Sequence, residues 1–555
     1  MAVTTPDDVD LALAGHDPET GETADRERER RWFIAAAVFL GLLFLVRLVF
    51  LLWFSPFNLI EDEAHYWEWS RHLDWSYYSK GPAIAYIIAA GTALLGDTEA
   101  GVRLFAPVCS LITGVCVFLL GREITRSDAK AFLGMVALHL APIITALGVL
   151  MTIDGPYLAG WSASCLLAYL AFERGKAWAW PGLGLALGIA FLAKYTALLL
   201  LPGLVIYLFI RRGRLPRRPA WAVPLFIVVL LFTMSPVAIW NAQHDWVTVR
   251  HLLGHAHMGG NDDKLNWQPW WFAEYMGTQL GAVGVTLLPL AIGGIAWAVR
   301  GGPSRELKPG AVFLICCGLP VLGFYTLAGL FIEIEGNWPL AGYVTLLPLA
   351  AWAAADRLGL MTRGKGTVQP SRRWWWRTAW HWSIGYGVVG GILAFRPDAV
   401  NLPISLVNRL GADLPYVFPH ERLIGAHEFA ADVDALNDRF DGRLFYIAGH
   451  YGRASLLAFY CRNHPAVFSG SARMQGRRAE QDLWPETNLD NPALQGRNAL
   501  LIGEVVRKWQ REEAFDEIII CEPARFSQKG RLLHNWELYL GVGYRGFAQQ
   551  ERNTF

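Results

Sequence analysis

Charged residues are scarce in this chain of 555 residues. They make up 17% of it, whereas hydrophobic residues make up 53%. A soluble globular protein carries about 25% charged residues. The deficit excludes an ordinary soluble protein and indicates that lipid surrounds much of the chain. The length allows one membrane domain and one modest soluble domain.

Cysteine is also scarce, and no CxxC or zinc-ligand spacing occurs among the seven cysteines. Two of them, Cys461 and Cys521, could form a disulfide if the C-terminal region faces an oxidising compartment. The other five lie in apolar runs and are expected to be small core residues: Cys109, Cys116, Cys165, Cys316 and Cys317.

A cleavable signal sequence is a third feature that we do not find. Residues 1–31 are polar and end in several arginines, and an apolar run of 23 residues follows from Trp32 to Phe54. That run exceeds a signal core of about 7–15 residues and matches a membrane-spanning helix of about 20. We expect residues 1–31 to be a disordered cytoplasmic tail.

Hydropathy predicts a polytopic α-helical membrane domain over residues 32–395 with about eleven spans. The predicted spans are 32–54, 101–121, 131–149, 155–172, 179–194, 196–210, 220–240, 278–299, 311–331, 339–354 and 378–395. The run 81–96 is short, so we expect a helix lying on the outer membrane surface there.

Charge in the loops predicts the orientation. The linker 211–219 holds five arginines and no acid, so the positive-inside rule places it in the cytoplasm. Alternation of the spans then places loop 55–100 outside, with seven acids against Arg71 and Lys80. An odd span count also places residues 396–555 outside. Their short β-rich runs around a predicted helix at 451–460 indicate a small extracytoplasmic α/β domain.

The outer loop 55–100 carries the residues that suggest chemistry. On a helix beginning at Glu61, Asp62 and Tyr66 share one face, and Glu63 points about 100° away. The simple alternative is a charged helix start at the membrane surface. Lys80, set among Tyr77, Tyr78 and Gly81, has the charge that suits a phosphate. Lys80, Tyr77 and Tyr78 are therefore candidate substrate-binding residues.

Ionisable groups at the membrane surface are further candidates for function. The predicted topology brings Asp154, Arg103 and Lys194 to the same outer surface as Asp62 and Lys80.

Several motifs together resemble a known family. The segments DEAHYWEW, YYSKGPAIAY, GVRLFAP, TIDGPYL, LALGIAFLAKYTALLLLPG, IWNAQHDW and GNWPLAGY follow in order between about residues 30 and 350. In this order they resemble the GT-C glycosyltransferases of family 39 type. That family includes protein O-mannosyltransferases and the lipid A aminoarabinose transferase.

The resemblance implies an inverting transfer of a sugar from a polyprenyl-phosphate donor to a lipid, glycan or protein acceptor outside the bacterial inner membrane. It implies Asp62 as the candidate base, with Glu63 beside it, and Asp154 as a second functional acid. Lys80 corresponds to a lysine that binds the carrier phosphate, and Arg103 and Lys194 lie where further cations occur. Many relatives have Lys-Pro-Pro where this chain has Lys-Gly-Pro, and the glycine is expected to loosen the backbone after Lys80.

The loop 241–277 holds weaker signals. His244 and Asp245 are assigned to the acceptor side of the cleft or to loop packing. His251 and His255 have the i, i+4 spacing of a metal-binding pair, and His257 lies close by. No cofactor is required by these patterns, and a divalent metal stays open as an alternative.

Two other functions stay open at this stage. A membrane transporter or lipid flippase should carry charges near the bilayer midplane, where this chain has only Arg47. A structural assembly protein would account for the C-terminal domain but not for the acidic loop. The partners expected are the lipid donor, the acceptor and the bilayer, with no nucleic acid.

Overall fold

The structure is a computed structural model that describes residues 18–255, 269–358, 370–474, 476 and 478–548. Its larger part is helical and covers the predicted membrane domain. The first helices are α1 (Pro18–Val49), α2 (Glu61–Arg71), α3 (Ala83–Leu95), α4 (Glu99–Arg103), α5 (Ala106–Thr125), α6 (Asp128–His139), α7 (Pro142–Ala146), α8 (Asp154–Phe172) and α9 (Ala179–Ala193). The next are α10 (Leu200–Arg211), α11 (Ala222–Gln243), α12 (Val247–His255), α13 (Pro269–Val283), α14 (Leu287–Val299), α15 (Lys308–Ala328), α16 (Leu340–Leu358) and α17 (Pro370–Phe395).

Several of these helices can cross a bilayer. Four segments of the described chain are long and apolar enough, namely Arg26–Phe54, Glu99–Thr125, Ala222–Gln243 and Lys308–Ala328. The pair α13 and α14, bent by 95°, adds a fifth if it counts as one span. Each of the eleven predicted spans falls on helix, so the polytopic helical fold is confirmed, while the number of crossings stays a prediction.

Two predicted spans are broken in the structure. The span 131–149 ends its first helix at His139, because Ala141 precedes Pro142 and is extended at ψ 119°. The span 278–299 begins earlier, at Pro269, and bends at Gly284, whose φ of +130° suits glycine. Such irregular backbone at membrane depth is tolerated where it is buried in protein.

The C-terminal region forms an α/β domain, as predicted. Its helices are α18 (Leu402–Arg409), α19 (Ala426–Asp438), α20 (Tyr451–Tyr460) and α21 (Val506–Arg511). Its strands are β1 (Phe445–Ala448), β2 (Val467–Ser469), β3 (Ala499–Ile502), β4 (Phe515–Ile520), β5 (Ala524–Gln528), β6 (Arg531–Trp536) and β7 (Leu538–Tyr544).

The main sheet has the strand order β2-β1-β3-β7-β4. Strand β1 runs parallel to both β2 and β3, whereas β7 runs antiparallel to β3 and β4. A separate antiparallel pair joins β5 and β6. Cys461 and Cys521 are both free thiols, so the disulfide considered from the sequence is not formed.

The first outer loop and the C-terminal domain share one apolar core. Trp67 of α2 packs edge-on against Phe459 of α20, with ring centroids 4.9 Å apart. The backbone N–H of Leu59 donates to the Tyr460 hydroxyl at 2.6 Å. The C-terminal domain is therefore fixed directly on the loop that carries the predicted site.

Candidate active site

The helix α2 presents its three leading acids in different surroundings. Ile60 is extended, and the Glu63 carboxylate accepts the Ile60 N–H at 3.2 Å, which closes the first turn. Asp62, in the same turn, is exposed to solvent. A helix N-terminus favours a negative charge at this position. Asp62 is thus a carboxylate held at a fixed place with its oxygens accessible.

Tyr66 lies one turn after Asp62, as the spacing predicted, and it is buried. Burial raises the pKa of Tyr66 well above its usual range, and the charges of Asp62, Tyr451 and Asp154 raise it further. These three groups therefore lie close enough to Tyr66 to act on it electrostatically. The structure thus brings the exposed Asp62 and the buried Asp154 into one region.

Glu63 and Arg103 form a buried ion pair. Arg103 donates from Nε to Glu63 Oε1 at 2.8 Å and from Nη2 to Glu63 Oε2 at 2.5 Å. The same guanidinium donates to the carbonyls of Phe57 and Asn58 at 2.9 and 2.7 Å. Glu63 also accepts the Met151 N–H at 2.8 Å. This geometry ties α2 to α4 and to the segment before α8, and it gives no support to a catalytic Glu63 or a substrate-binding Arg103.

Asp154 begins α8 and is completely buried. Its Oδ1 accepts from Lys194 Nζ at 2.8 Å, and its Oδ2 accepts from Asn337 Nδ2 at 2.6 Å. Lys194 follows the last residue of α9 and is itself extended, so the helix breaks there before residues 195–199. The charge of Lys194 is therefore balanced by Asp154, and both side chains are held where three separate chain segments meet.

The segment that carries Lys80 is a tight turn. The Tyr77 N–H donates to the Lys80 carbonyl at 3.2 Å, and the Ser76 hydroxyl lies 3.2 Å from the Tyr195 hydroxyl. Thr248 of α12 donates to the Tyr77 carbonyl at 3.2 Å. The Lys80 turn is thus fixed against the residue next to Lys194, which brings both predicted cations to one region.

Gly81 lies closely against α9. A Cβ atom built on Gly81 would lie 2.1 Å from the Leu192 carbonyl oxygen, so glycine is required for this approach. The sequence predicted a loosened backbone here, and the structure shows a buried, closely packed one. The physical reason is the contact with Leu192, which precedes Lys194 by two residues.

The two tyrosines before Lys80 are buried and belong to the loop framework. Tyr77 stacks on Trp69 with centroids 4.5 Å apart, and its hydroxyl donates to the Trp69 and His72 carbonyls at 3.1 and 3.0 Å. Tyr78 packs against His251, with centroids 4.7 Å apart. Their predicted role in binding substrate therefore stays a prediction, and the described contacts of Tyr77 are internal.

His244 and Asp245 follow the C-terminal end of α11. The His244 ring stacks on Trp240 at 4.0 Å, and the Trp240 indole N–H donates to Asp74 at 2.8 Å. Asp245 is exposed and left-handed, with φ of +53°. This turn therefore contacts the loop that carries Asp74, and the acceptor-side role of His244 and Asp245 stays a prediction.

The C-terminal domain reaches into the Lys80 turn. The carboxylate of Glu480 accepts the Tyr78 N–H at 2.6 Å and is buried. Burial raises the pKa of Glu480 to about 8. Next to it, Gln481 donates to Glu68 of α2 at 2.6 Å, and Ser455 of α20 donates to the same Glu68 oxygen at 2.7 Å. Sequence reasoning missed these residues because they lie about 400 positions from their partners.

Metal binding was left open by the sequence. Within the part of the chain that the structure describes, no three His, Cys, Asp or Glu side chains come together as metal ligands. His251 is buried, while the side chain of His255 and all of His257 lie outside the described residues.

Comparisons with known proteins agree with this architecture. Residues 79–240 match a family described as dolichyl-phosphate-mannose-protein mannosyltransferase. The chain is 30% identical over 324 residues to the lipid A galacturonosyltransferase RgtD of Rhizobium johnstonii, covering 56% of this chain and 64% of that protein. It is 25% identical over 325 residues to the undecaprenyl phosphate-alpha-4-amino-4-deoxy-L-arabinose arabinosyl transferase of Pseudomonas savastanoi pv. phaseolicola, covering 55% and 58%. The chain thus spans less than two thirds of the length of these relatives.

A solved structure matches over nearly the whole chain. ArnT from Cupriavidus metallidurans, bound to undecaprenyl phosphate, aligns with a TM-score of 0.58 and covers 93% of this chain and 99% of that one, at 14% identity. At this identity the likeness establishes the fold. The resemblance inferred from the sequence is therefore confirmed: this chain is a multi-pass membrane protein with the GT-C glycosyltransferase fold and a C-terminal α/β domain.

Proposed function

We propose that the protein is an inverting glycosyltransferase that moves a sugar from a polyprenyl-phosphate donor to an acceptor at the outer face of a bacterial inner membrane. The observation that carries this proposal is the exposed carboxylate of Asp62 in a chain with the GT-C fold, which also holds Lys194 against Asp154 at 2.8 Å. The names of the relatives RgtD and arabinosyl transferase favour a uronic or amino sugar as donor and lipid A as acceptor.

The chemistry needs a base, a placed acceptor and cations near the leaving group. In a single displacement, the acceptor hydroxyl gives its proton to Asp62 while its oxygen bonds to the anomeric carbon. The bond from that carbon to the phosphate oxygen breaks, and its electron pair leaves with the polyprenyl phosphate. A positioned base contributes about 10²–10⁴-fold, and preorganised cations stabilise the charge that develops on the leaving phosphate.

We assign different roles to the three acids. Asp62 alone is exposed, so it is the candidate base. Glu63 is a positioning residue, because its ion pair with Arg103 fixes the turn that carries Asp62. Asp154 holds Lys194 in place, and its partner Asn337 belongs to the segment GNWPLAGY.

The charge pattern supports the outward orientation. Helix α9 begins beside the arginine-rich linker, where Arg218 lies over the Trp180 ring at 5.8 Å. It ends at Ala193, and the following Lys194 pairs with Asp154, whose charge acts with that of Asp62 on Tyr66. Because basic linkers stay in the cytoplasm, we place the site and the C-terminal domain on the periplasmic side.

The test is transfer from labelled polyprenyl-phosphate sugars to lipid A by the purified protein in lipid nanodiscs. We expect transfer by the wild type and a loss of about 10²–10⁴-fold in Asp62→Asn. Asp432→Asn makes the same change at an exposed position on α19 and should keep full activity. A folded wild type that transfers from no donor, or full activity in Asp62→Asn, would contradict the proposal.

A further inference from the structure

A cavity of about 320 Å³ lies in the C-terminal domain, where β1, β2 and β3 end. Its lining includes His450 and Tyr451 after β1, Ser471 after β2, and Glu504 after β3. Strand β1 has β2 on one side and β3 on the other. In open α/β sheets, ligands bind outside the carboxyl ends of the strands, at the point where the chain turns to opposite sides. The cavity occupies that point.

The cavity is next to the first turn of α2. His450 Nδ1 lies 3.7 Å from Glu61 Oε2. Gly452 packs so closely on Glu61 that a Cβ atom there would lie 2.6 Å from the Glu61 Cβ. Burial lowers the pKa of His450, while the charges of Glu61 and Asp62 oppose that shift. His450, which lines the cavity, is therefore in contact with Glu61, the residue that precedes Asp62 in the first turn of α2.

The lining suits a polar, hydroxylated ligand. Glu504 can accept hydrogen bonds from hydroxyl groups, and Lys508, paired with it at 2.8 Å, can donate them. Ser471 adds a hydroxyl, and Tyr451 adds an aromatic residue to the lining. The paired charges of Glu504 and Lys508 do not favour an acyl chain as the ligand. The volume of the cavity is at the low end of the range for small-molecule pockets, about 300–1,000 Å³.

We propose that this cavity binds a sugar residue of the acceptor and so presents an acceptor hydroxyl to Asp62. The inference rests on the proposed function, since it names the part of the acceptor that the protein recognises. It also gives the C-terminal domain a role in catalysis. The domain is fixed on α2 by the shared core and by Ser455 and Gln481, so a sugar in the cavity lies at a constant position relative to Asp62.

The kinetic experiment uses the full chain in nanodiscs with a polyprenyl-phosphate sugar and lipid A. Glu504→Ala should raise KM for lipid A by about tenfold or more, the effect of losing a hydrogen bond to a charged group. KM for the donor should change by less than about twofold, because the donor cations lie elsewhere. Lys508→Ala, at a half-exposed side chain, is a second variant that leaves the packing of Glu504 on Gly449 in place. The matched control Glu517→Ala lies on β4, two strands from β3, and should leave both KM values unchanged.

A binding experiment separates this inference from the proposed function. Saturation-transfer NMR with a β-1,6-linked glucosamine disaccharide should give a signal with the wild type and Glu517→Ala, and lose it with Glu504→Ala and Lys508→Ala. If the protein transfers sugar but Glu504→Ala leaves KM for lipid A unchanged, or raises both KM values equally, the acceptor role of the cavity is wrong and the transferase stands. If nothing is transferred but the disaccharide signal depends on Glu504, the saccharide site stands and the transferase proposal fails. An equal signal in the wild type and Glu504→Ala overturns the site.

Discussion

Removing both Glu63 and Arg103 should cost the protein little more stability than removing either one. The pair is buried, with side chains at most 1% exposed. Loss of one partner leaves an uncompensated buried charge, which costs about 3–5 kcal/mol. Glu63→Met and Arg103→Met are therefore each expected to destabilise the protein by about that amount.

The structure also gives the cost of the double variant. No buried charge remains in it, but the carbonyls of Phe57 and Asn58 lose their donor, and the Met151 N–H loses its acceptor. Each unsatisfied group costs about 1–3 kcal/mol when no water reaches it, and the low end of that range gives about 3 kcal/mol for the three groups. We expect a total close to that of one single variant, and a coupling energy of about 3–5 kcal/mol between the two positions.

The assay is unfolding in nanodiscs, followed by tryptophan fluorescence, together with sugar transfer for all four proteins. If the pair only positions Asp62, the double variant should regain measurable transfer as it regains stability. A double variant that is destabilised by the sum of the single effects would refute the ion-pair reasoning. One that is stable yet inactive would restore the prediction that Glu63 or Arg103 acts on substrate.

Three further predictions concern the surroundings of Lys80 and Lys194. Asp154→Asn should leave Lys194 without its buried counter-charge and reduce sugar transfer at least about tenfold while the protein stays folded. The kcat of the purified variant measures this loss, and an unchanged kcat would show that transfer does not need the pair. Gly81→Ala should displace the Lys80 turn, because its Cβ would meet the Leu192 carbonyl oxygen at 2.1 Å. We expect this displacement to cost about 1–3 kcal/mol and to raise KM for the donor. The control Gly41→Ala has open space around the new Cβ and should leave that KM unchanged. The pKa of Glu480 is raised to about 8 in the folded protein, so the folded state binds more protons than the unfolded state between about pH 4.5 and 8. The free energy of unfolding should therefore fall as pH rises through that window, by at most about 1.4 kcal/mol per pH unit. Hydrogen exchange at the Tyr78 amide should report this slope, and Glu480→Gln should flatten it; the same slope in both proteins would contradict the assignment.

Much of the fold follows from local patterns in the sequence. Long apolar runs predicted the membrane helices, and YGRASLLAFY predicted α20 with its observed bounds of Tyr451–Tyr460. The breaks at Ala141 and Gly284 were not predicted, because hydropathy averages over the residues that cause them. Strands β5 and β6 were also missed, since they are partly exposed and not uniformly apolar. The buried strands β2 and β7 were missed as well.

The site was predictable as a set of residues but not as a set of contacts. Helical spacing predicted that Asp62 and Tyr66 share one face of α2 and that Glu63 points away from that face. It could not predict that Glu63 forms a buried ion pair with Arg103. Lys194 lies 40 positions from Asp154, and Asn337 lies 183 positions from it. Such contacts depend on how helices pack, which no local pattern encodes.

The surroundings of the outer acids decide which of them can take a proton from an acceptor. Glu63 accepts from a guanidinium and two backbone N–H groups, and Asp154 accepts from an ammonium and an amide, so both oxygens of each carboxylate are already engaged. A general base must come within hydrogen-bond reach of the proton that it removes, and only an acid with an accessible oxygen meets that condition. Glu61 is partly exposed but lies against Gly452 and His450 of the C-terminal domain. Asp62 is exposed, is held by the turn that the Glu63–Arg103 pair fixes, and follows Glu61, which contacts His450 in the lining of the cavity proposed for the acceptor sugar. The buried acids thus give the exposed one its position.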